Sequence, residues 1–256
     1  MWLSSQPVAA RENERMMRVV DMWRYPVKSM LGERVDRAQL TPDGILGDRQ
    51  FAIFDRASGF GLTARRVPEL LFASARLRED GELEMTLPDG TVATDDRALS
   101  TWLNRDVTLR NAAHGAPRRY EDTTNAELDA TSGFSVFDGA NGAFHDSPRA
   151  RVSLVSAATL GDWDPRRFRA NVYLDGGGED EYVGSRAVLG DALVDIGKHI
   201  GRCVMVTRPQ ANGVSRDLDV LRTIRDERAG SLAVGATVLR AGAVAVGDTL
   251  ERLPSG

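Results

Sequence analysis

The single cysteine of the chain, Cys203, is the first residue with a clear capacity for chemistry. Arg202 precedes it, and a guanidinium favours the thiolate form of a neighbouring cysteine when the two side chains face each other. A thiolate can serve as a nucleophile, a sulfur carrier or a ligand for a soft metal. The alternative is a small buried apolar side chain on a strand, where free cysteine is often found. One cysteine excludes an intramolecular disulfide and a Cys₄ or Cys₂His₂ zinc site.

Arginine supplies nearly all of the positive charge and forms the second candidate site. Of the 33 basic residues two are lysines, Lys28 and Lys198, which leaves 31 arginines. The guanidinium group is planar, permanently charged and matched to phosphate. The arginines that we single out are Arg49, Arg65, Arg66, Arg118, Arg119, Arg166, Arg167 and Arg169. If several of them meet Lys28 and Ser29 in the fold, they form an anion pocket; if they are scattered, they form an ordinary solvated surface.

Several function classes are excluded by features of the whole chain of 256 residues. The formal net charge of −4 argues against a nucleic-acid partner. No apolar run approaches the roughly 20 residues that span a bilayer, and the N-terminus lacks the apolar segment of a secretory signal. There is no P-loop, no dinucleotide-binding fingerprint and no G-x-S-x-G motif. The three histidines, His114, His145 and His199, lack metal-ligand spacing. We therefore expect a cytoplasmic protein with a reduced thiol and no membrane partner.

The elements that must position these residues are mainly strands. Short alternating or β-branched runs predict strands at 18–23, 51–54, 71–77, 82–87, 107–110, 152–155, 170–174, 189–196, 203–207, 236–240 and 244–246. Helices are predicted over 95–104 and 218–225, and a further one after Ser156 as its N-cap. Residues 111–147 are polar and glycine-rich and carry no strand signal, which predicts a long, partly functional excursion. Many short strands with few helices predict barrel-like β architecture with two barrels.

An ordered series of short motifs resembles the MOSC superfamily between about Val19 and Leu253. In chain order the motifs are Tyr25-Pro-Val-Lys-Ser29, Gly47-Asp-Arg49, Leu62-Thr-Ala-Arg65, Phe144-His-Asp146, Ser153-Leu-Val-Ser156, Phe168-Arg-Ala-Asn171, Arg202-Cys-Val-Met205, Asp219-Val-Leu-Arg222 and Val246-Gly-Asp248. One such motif is weak evidence, and their common order makes the resemblance specific. It implies a mainly β fold with a few helices (α+β). A flexible extension over residues 1–16 would precede an N-terminal β-barrel domain over 17–112, interlocked with a β-barrel-like MOSC domain over 113–254.

Within this superfamily the chain resembles the members that reduce amidoximes and other N-hydroxylated compounds with bound molybdenum cofactor (molybdopterin). The resemblance implies that Cys203 ligates molybdenum. It also implies a set of residues that hold the pterin and its phosphate, namely Lys28, Ser29, Arg49, Arg65, Arg169, Asn171 and Arg202. Cys203 and Asp146 would be the catalytic residues, with Asp146 as a proton relay. We expect a small N-hydroxy or N-oxide substrate and, because no ferredoxin domain follows in the sequence, a separate electron-donor protein.

Two other functions use the same residues. A sulfur carrier or sulfurtransferase would form a persulfide on Cys203 and bind a phosphorylated or carboxylate acceptor with its arginines. A pathway-specific biosynthetic enzyme would use the same scaffold for other chemistry. Ala170, where the family has proline, and the polar stretch over 111–147 leave this second alternative open.

Overall fold

β-Strands dominate the computed structural model, which describes residues 16–115, 118–123 and 133–254. In these ranges the strands are β1 (Met17–Arg24), β2 (Glu33–Arg34), β3 (Arg37–Thr41), β4 (Gly44–Ile45), β5 (Phe51–Asp55), β6 (Ser74–Leu77), β7 (Leu83–Thr86), β8 (Val92–Ala93), β9 (Val107–Asn111), β10 (Arg119–Thr123), β11 (Phe134–Asp138), β12 (Val152–Ser156), β13 (Val172–Leu174), β14 (Ser185–Leu189), β15 (Ala192–Gly201), β16 (Ser231–Arg240), β17 (Gly242–Ala245) and β18 (Thr249–Arg252). The α-helices are α1 (Asp96–Leu103), α2 (Ala157–Leu160) and α3 (Asp219–Arg228). Short 3₁₀ helices cover Pro68–Phe72, Ala112–His114, Pro165–Arg167, Glu179–Tyr182 and Val204–Thr207. The predicted α+β class is confirmed, and the predicted N-terminal extension lies outside the described residues except for Met16.

Seven strands form a closed barrel in the order β13, β12, β16, β15, β14, β18 and β1, and β1 pairs back with β13 to close it. β12 and β13 run parallel, and the other neighbours run antiparallel. Alternate residues point inward, so that Ala192, Val194 and Ile196 of β15 are fully buried, as the period of two requires. Each large aliphatic side chain buried in this way stabilises the fold by about 1.5–3 kcal/mol.

The two halves of the chain exchange strands. β1 comes from the N-terminal half and completes a barrel whose other strands follow residue 151. β17 comes from the C-terminal half and pairs antiparallel with β3, with Gly242 opposite Leu40. The predicted interlocking is therefore confirmed. In the N-terminal half the strands form small sheets (β17-β3-β4, β5-β9 and β6-β7-β8), and several of them pack around a second apolar core.

The two longer helices lie where the sequence predicts them. Asp95 caps α1 by accepting a hydrogen bond from Ala98 N at 2.8 Å, and the left-handed Asn104 ends the helix. A cap of this kind contributes about 1 kcal/mol. α3 begins at Asp219, one residue into the predicted range, and continues to Arg228. No helix in the described ranges combines the length and the apolar character that crossing a bilayer requires.

The segment around Cys203 is not the strand that the sequence predicts. β15 ends at Gly201, and Val204–Thr207 form a 3₁₀ helix with Cys203 at its N-terminal end. Val206 is buried in this turn, and the Arg167 guanidinium donates to its carbonyl oxygen at 3.2 Å. Tertiary contacts thus override the β propensity of a valine-rich run, and they place the thiol at a chain turn.

Three other predictions are wrong in part. The strand predicted over 189–196 is a hairpin between β14 and β15, because Gly190 adopts a φ of 56° there. A 3₁₀ helix that begins at Pro68 takes the first residues of the strand predicted over 71–77. The segment over 111–147, predicted as an excursion without strands, contains the β10–β11 hairpin.

Two glycines allow the ring of Tyr120 to pack closely against the backbone. A Cβ added to Gly61 would lie 2.2 Å from Tyr120 Cε1, and one added to Gly139 would lie 2.7 Å from Cε2. Tyr120 is fully buried, and the ring centroid lies 4.6 Å from the Nζ atom of Lys28. This packing therefore fixes the surroundings of a candidate site residue.

We expect Gly61→Ala to lower the free energy of unfolding by about 1–3 kcal/mol, because the buried ring has to shift to admit the methyl group. Urea denaturation measures the difference. Gly201→Ala is the matched control, since a Cβ there meets no atom within 4 Å and neither glycine has a left-handed φ. Equal costs for the two variants would contradict the packing role of Gly61.

Candidate functional site

One cavity of about 370 Å³ brings the candidate residues together. All nine predicted site residues line it: Lys28, Ser29, Arg49, Arg65, Asp146, Arg169, Asn171, Arg202 and Cys203. Both halves of the chain contribute to its walls. Of the other arginines singled out from the sequence, Arg167 lines the cavity, whereas Arg66, Arg118, Arg119 and Arg166 do not.

An ion-pair network of Lys28, Asp146 and Arg65 forms one part of the wall. The buried Lys28 ammonium donates to the Asp146 carboxylate and, at 2.9 Å, to the Phe144 carbonyl oxygen. Arg65 Nη2 lies 3.3 Å from the other Asp146 oxygen. Burial raises the pKa of Asp146, but the charges of Lys28 and Arg65 outweigh it and hold the pKa well below its usual range. Asp146 is therefore ionised at neutral pH, so it can accept hydrogen bonds but holds no proton to donate.

Two of the predicted cofactor-binding arginines pack against the ring of Tyr25. The guanidinium carbons of Arg49 and Arg169 lie 5.1 and 4.3 Å from the ring centroid. Arg49 forms an ion pair with the buried Asp48, and Arg169 donates to the Met30 carbonyl oxygen. Burial is the main reason that the pKa of Arg169 falls to about 10, and the Arg49 charge adds to the effect. Both arginines remain cations at neutral pH, and a bound anion would offset their desolvation.

Three of the seven described non-glycine residues with a positive φ are predicted ligands. The φ angles of Ser29, Arg49 and Arg169 are 71°, 50° and 50°, in the left-handed region. This conformation costs a residue with a side chain on the order of 1 kcal/mol, and such residues cluster at functional sites. The Ser29 hydroxyl oxygen accepts a hydrogen bond from Ala64 N at 3.1 Å, so its proton is left to be donated elsewhere.

The Arg202 side chain is anchored beside the half-buried Cys203 thiol. Its Nε donates to the Leu232 carbonyl oxygen at 2.7 Å and its Nη1 to the Phe168 carbonyl oxygen at 2.9 Å. The Nη2 atom is buried and has no hydrogen-bond partner among the residues that the structure describes. Burial lowers the pKa of Arg202 to about 10, against the opposing influence of Cys203. One donor of a fixed guanidinium is thus open to a ligand.

Asn171 ties the barrel strands together at the cavity wall. Its Oδ1 accepts hydrogen bonds from the backbone N and the Oγ of Ser153 at 3.2 and 2.9 Å. Its Nδ2 donates to the Trp23 carbonyl oxygen at 3.2 Å. These bonds join β12 and β1 to the start of β13, and they leave one amide N–H for a ligand.

Several polar residues of the cavity were not among the predicted ligands: Thr63, His145, Ser147, Ser153, Arg167 and Lys198. Thr63 Oγ1 is buried without a hydrogen-bond partner in the described part of the chain. Burial lowers the pKa of His145 to about 3, so its imidazole, in contact with the Asp43 carbonyl oxygen at 3.0 Å, is neutral. The sequence held a signal for all of these residues except Ser147. Three of them, Thr63, His145 and Ser153, lie within motifs that resemble the family, Arg167 is among the arginines singled out, and Lys198 is one of only two lysines.

The donors of the cavity fit an anionic group that brings its own metal ligands. The described residues include no cluster of three or more histidine, cysteine or acidic side chains that could hold a metal alone. A single soft thiol can complete the coordination of a metal that arrives already bound to sulfur. Thr63 Oγ1 and Arg202 Nη2, both buried and unpartnered in the described structure, are suited to phosphate oxygens. The set therefore fits molybdenum cofactor.

We expect Asp146→Asn to destabilise the protein by about 1–2 kcal/mol at pH 7, because it leaves the buried Lys28 without a counter-charge. The cost is below that of a fully buried pair because the Asp146 side chain is 51% exposed. The folded-state pKa of Asp146 is depressed, so its contribution is present above about pH 4 and is lost as the pH falls further.

Urea denaturation of both proteins between about pH 3.5 and 7 tests this pH dependence. The acid titration of His145 occurs in both proteins and cancels in the difference. Asp162→Asn, at an exposed aspartate outside the cavity, is the control. A difference between wild type and Asp146→Asn that stays constant over the whole pH range would contradict the interpretation.

Comparisons with known proteins show the family of the chain. The model of the MOSC N-terminal beta barrel domain matches residues 16–127, and that of the MOSC domain matches residues 136–251. Mitochondrial amidoxime reducing component 2 of Bos taurus is 23% identical, over 89% of this chain and 77% of its own length.

Two solved structures are also similar. The YuaD protein of Bacillus subtilis is 14% identical with a TM-score of 0.43, over 94% of this chain and 98% of its own. YiiM of Escherichia coli is 18% identical with a TM-score of 0.33, over 46% of this chain and 60% of its own. The two family models together span nearly the whole described chain, which therefore belongs to the MOSC superfamily and carries both its N-terminal β-barrel domain and its MOSC domain.

Proposed function

We propose that the cavity binds molybdenum cofactor and that the protein uses it to reduce small N-hydroxy or N-oxide compounds. The observation that carries the proposal is that the only thiol of the chain, Cys203, shares one cavity with five arginines. The substrate class is supported by the similarity to a protein named for amidoxime reduction, since an amidoxime is an N-oxygenated group.

The proposed roles follow from the chemistry of each side chain. When bound, the cofactor would supply a metal that exchanges two electrons and an oxygen atom with the substrate. Cys203 would be the protein ligand of this metal, because thiolates suit soft metals. Residues that would hold the pterin and its phosphate are Lys28, Ser29, Arg49, Arg65, Arg169, Asn171 and Arg202. Arg169 and Arg202 are already fixed by backbone carbonyl oxygens, so little side-chain entropy is lost when they bind an anion.

Asp146 would act at the substrate. Reduction of an N-hydroxy group to the amine with release of water consumes two electrons and two protons. Because Lys28 and Arg65 keep Asp146 ionised, it would accept a hydrogen bond from the substrate N–H or O–H and orient that group. The two protons would come from solvent, which reaches the exposed side of the Asp146 side chain, and Asp146 would orient the reacting group without carrying a proton itself. This role is narrower than the proton relay that the sequence suggests.

Electrons would come from a separate donor protein. The similarity to a protein named an amidoxime reducing component supports this proposal, because the word component implies a part of a larger reducing system. We also propose a cytoplasmic location, where a lone cysteine stays reduced. A half-buried thiol in a cationic cavity also favours a second candidate function, which is sulfur transfer through a persulfide on Cys203.

Expression in a host that makes molybdenum cofactor separates the two functions. We expect near-stoichiometric molybdenum in the wild type, and at least a tenfold loss of molybdenum and of N-oxide reduction in Cys203→Ser. Metal analysis, the visible spectrum and assay with a chemical reductant give the readouts. Met205→Leu is the matched control, because it removes the other sulfur atom that lines the cavity and leaves Cys203 in place. Molybdenum-free protein that carries a labile sulfur on Cys203 would favour the sulfurtransferase.

Arg202→Met tests the proposed phosphate site apart from the metal ligand. The substitution keeps the apolar part of the side chain and removes the open Nη2 donor, together with the bonds from Nε and Nη1 to the Leu232 and Phe168 carbonyl oxygens. We expect the cofactor to dissociate about tenfold faster, as the loss of one charged hydrogen bond predicts. Fluorescence of released pterin measures the rate. Arg186→Met, at an exposed arginine of β14 outside the cavity, should release cofactor at the wild-type rate. Equal rates for the two variants would remove Arg202 from the site.

A further inference from the structure

Lys198 differs from every other cation of the cavity. The described structure gives its side chain no hydrogen bond and no ion pair. It is one of only two lysines in the chain, both of which line the cavity. The other lysine, Lys28, is paired with Asp146. The five arginines of the cavity all contact a carboxylate or a backbone carbonyl oxygen: Arg49, Arg65, Arg167, Arg169 and Arg202. The charge of Lys198 is thus left to solvent or to a bound molecule.

The strand geometry directs Lys198 into the cavity. The pairing of β15 with β16 shifts register between Ile196 and Lys198, which marks a bulge, and bulges re-aim side chains near functional sites. Beyond the bulge Lys198 and Ile200 line the cavity, whereas His199 between them is exposed and lies 3.5 Å from Asp180. Successive side chains of a strand point to opposite faces, so the Lys198 side chain is on the cavity face. The same strand leads on to Cys203.

The charge balance of the cavity remains positive when the proposed cofactor is included. Seven cationic side chains line the cavity, against the carboxylate of Asp146. A phosphate monoester adds about two negative charges at neutral pH. The buried Asp48 forms an ion pair with Arg49 and neutralises one further cation. Cations are still in excess, and Lys198 is the cavity cation whose side chain has no partner among the residues that the structure describes.

We propose that Lys198 binds an anionic group of the substrate, so that the preferred substrates are N-oxygenated compounds that also carry a carboxylate. This inference rests on the proposed function, because it names the substrate class of the same site. A carboxylate on the side of Lys198 would form a charge-assisted hydrogen bond in a partly dehydrated cavity. The N–O group would then point along the wall toward the thiol that follows β15.

The test compares two substrates that differ only in charge: an aryl amidoxime and the same amidoxime with a para-carboxylate. With molybdenum-loaded wild type and a chemical reductant, we expect a kcat/KM about tenfold higher for the carboxylate, carried by KM and weakened by added salt. Lys198→Met should remove the preference and leave the neutral amidoxime unaffected, while Lys198→Arg should keep most of it. Arg186→Met, outside the cavity, should behave as wild type.

A second readout does not depend on turnover. Dissociation constants of both compounds for the oxidised, molybdenum-loaded protein without electron donor should show the same preference and the same loss in Lys198→Met. An unchanged preference in Lys198→Met overturns the proposal and leaves the proposed function standing. Loss of molybdenum from Lys198→Met also overturns it, by making Lys198 a cofactor ligand. If loaded wild type reduces neither compound, the proposed activity fails, and the dissociation constants still decide whether Lys198 binds the carboxylate.

Discussion

The antiparallel pairing of β1 with β13 is the contact on which the site depends. It closes the barrel, and it sets the end of β1 beside the start of β13, with Met22 opposite Val172. The chain leaves β1 toward Lys28 and enters β13 from Arg169, so one barrel edge receives candidate ligands from both halves of the sequence. The bond from Trp23 N to the Asn171 carbonyl oxygen, at 2.8 Å, continues the pairing up to this edge. Without this closure the two sets of cations would belong to separate sheets.

Burying the cations of the cavity costs free energy, and the surrounding structure offsets this cost with a partner for individual charged groups. Burial of a charge is unfavourable unless the charge is paired or hydrogen-bonded. Asp48 and Asp146 supply the opposite charges on the N-terminal side, and backbone carbonyl oxygens receive Arg169 and Arg202. Fixed cations cannot turn away from one another, so some repulsion and backbone strain remain in the folded protein. A ligand that binds only the folded state and brings negative charge stabilises that state, which links occupancy of the cavity to stability.

The sequence predicted which residues line the cavity better than it predicted the backbone conformation of those residues. The resemblance to the MOSC superfamily selected nine residues that line one cavity. Residue type alone left open whether the cations meet in one pocket or lie on an ordinary surface. Local propensity failed at Cys203, where contacts from Arg167 turn a valine-rich run into a 3₁₀ helix. It also gave no indication of the left-handed backbone at Arg49 and Arg169, since only tertiary packing holds a residue with a side chain there.

The position of Cys203 at a turn would allow a single thiol to serve as the proposed protein ligand of a metal. On a strand, the direction of Cys203 would be tied to the pleat and to the register of its neighbours. Cys203 instead lies at the N-terminal end of a 3₁₀ helix, so the direction of its side chain depends on the contacts that hold this helix in place. The Arg167 guanidinium makes two such contacts, since it donates to the carbonyl oxygens of Val206 and Ser215 at 3.2 and 2.8 Å. Arg167 is therefore a positioning residue, although it lines the cavity as a cation. A protein that provides a single ligand for a metal must hold that ligand rigidly, because no second protein ligand helps to fix the position of the metal. In the proposed function the arginine excess of this chain would serve two purposes, with some guanidinium groups binding the cofactor phosphate and Arg167 holding the backbone that carries the thiol.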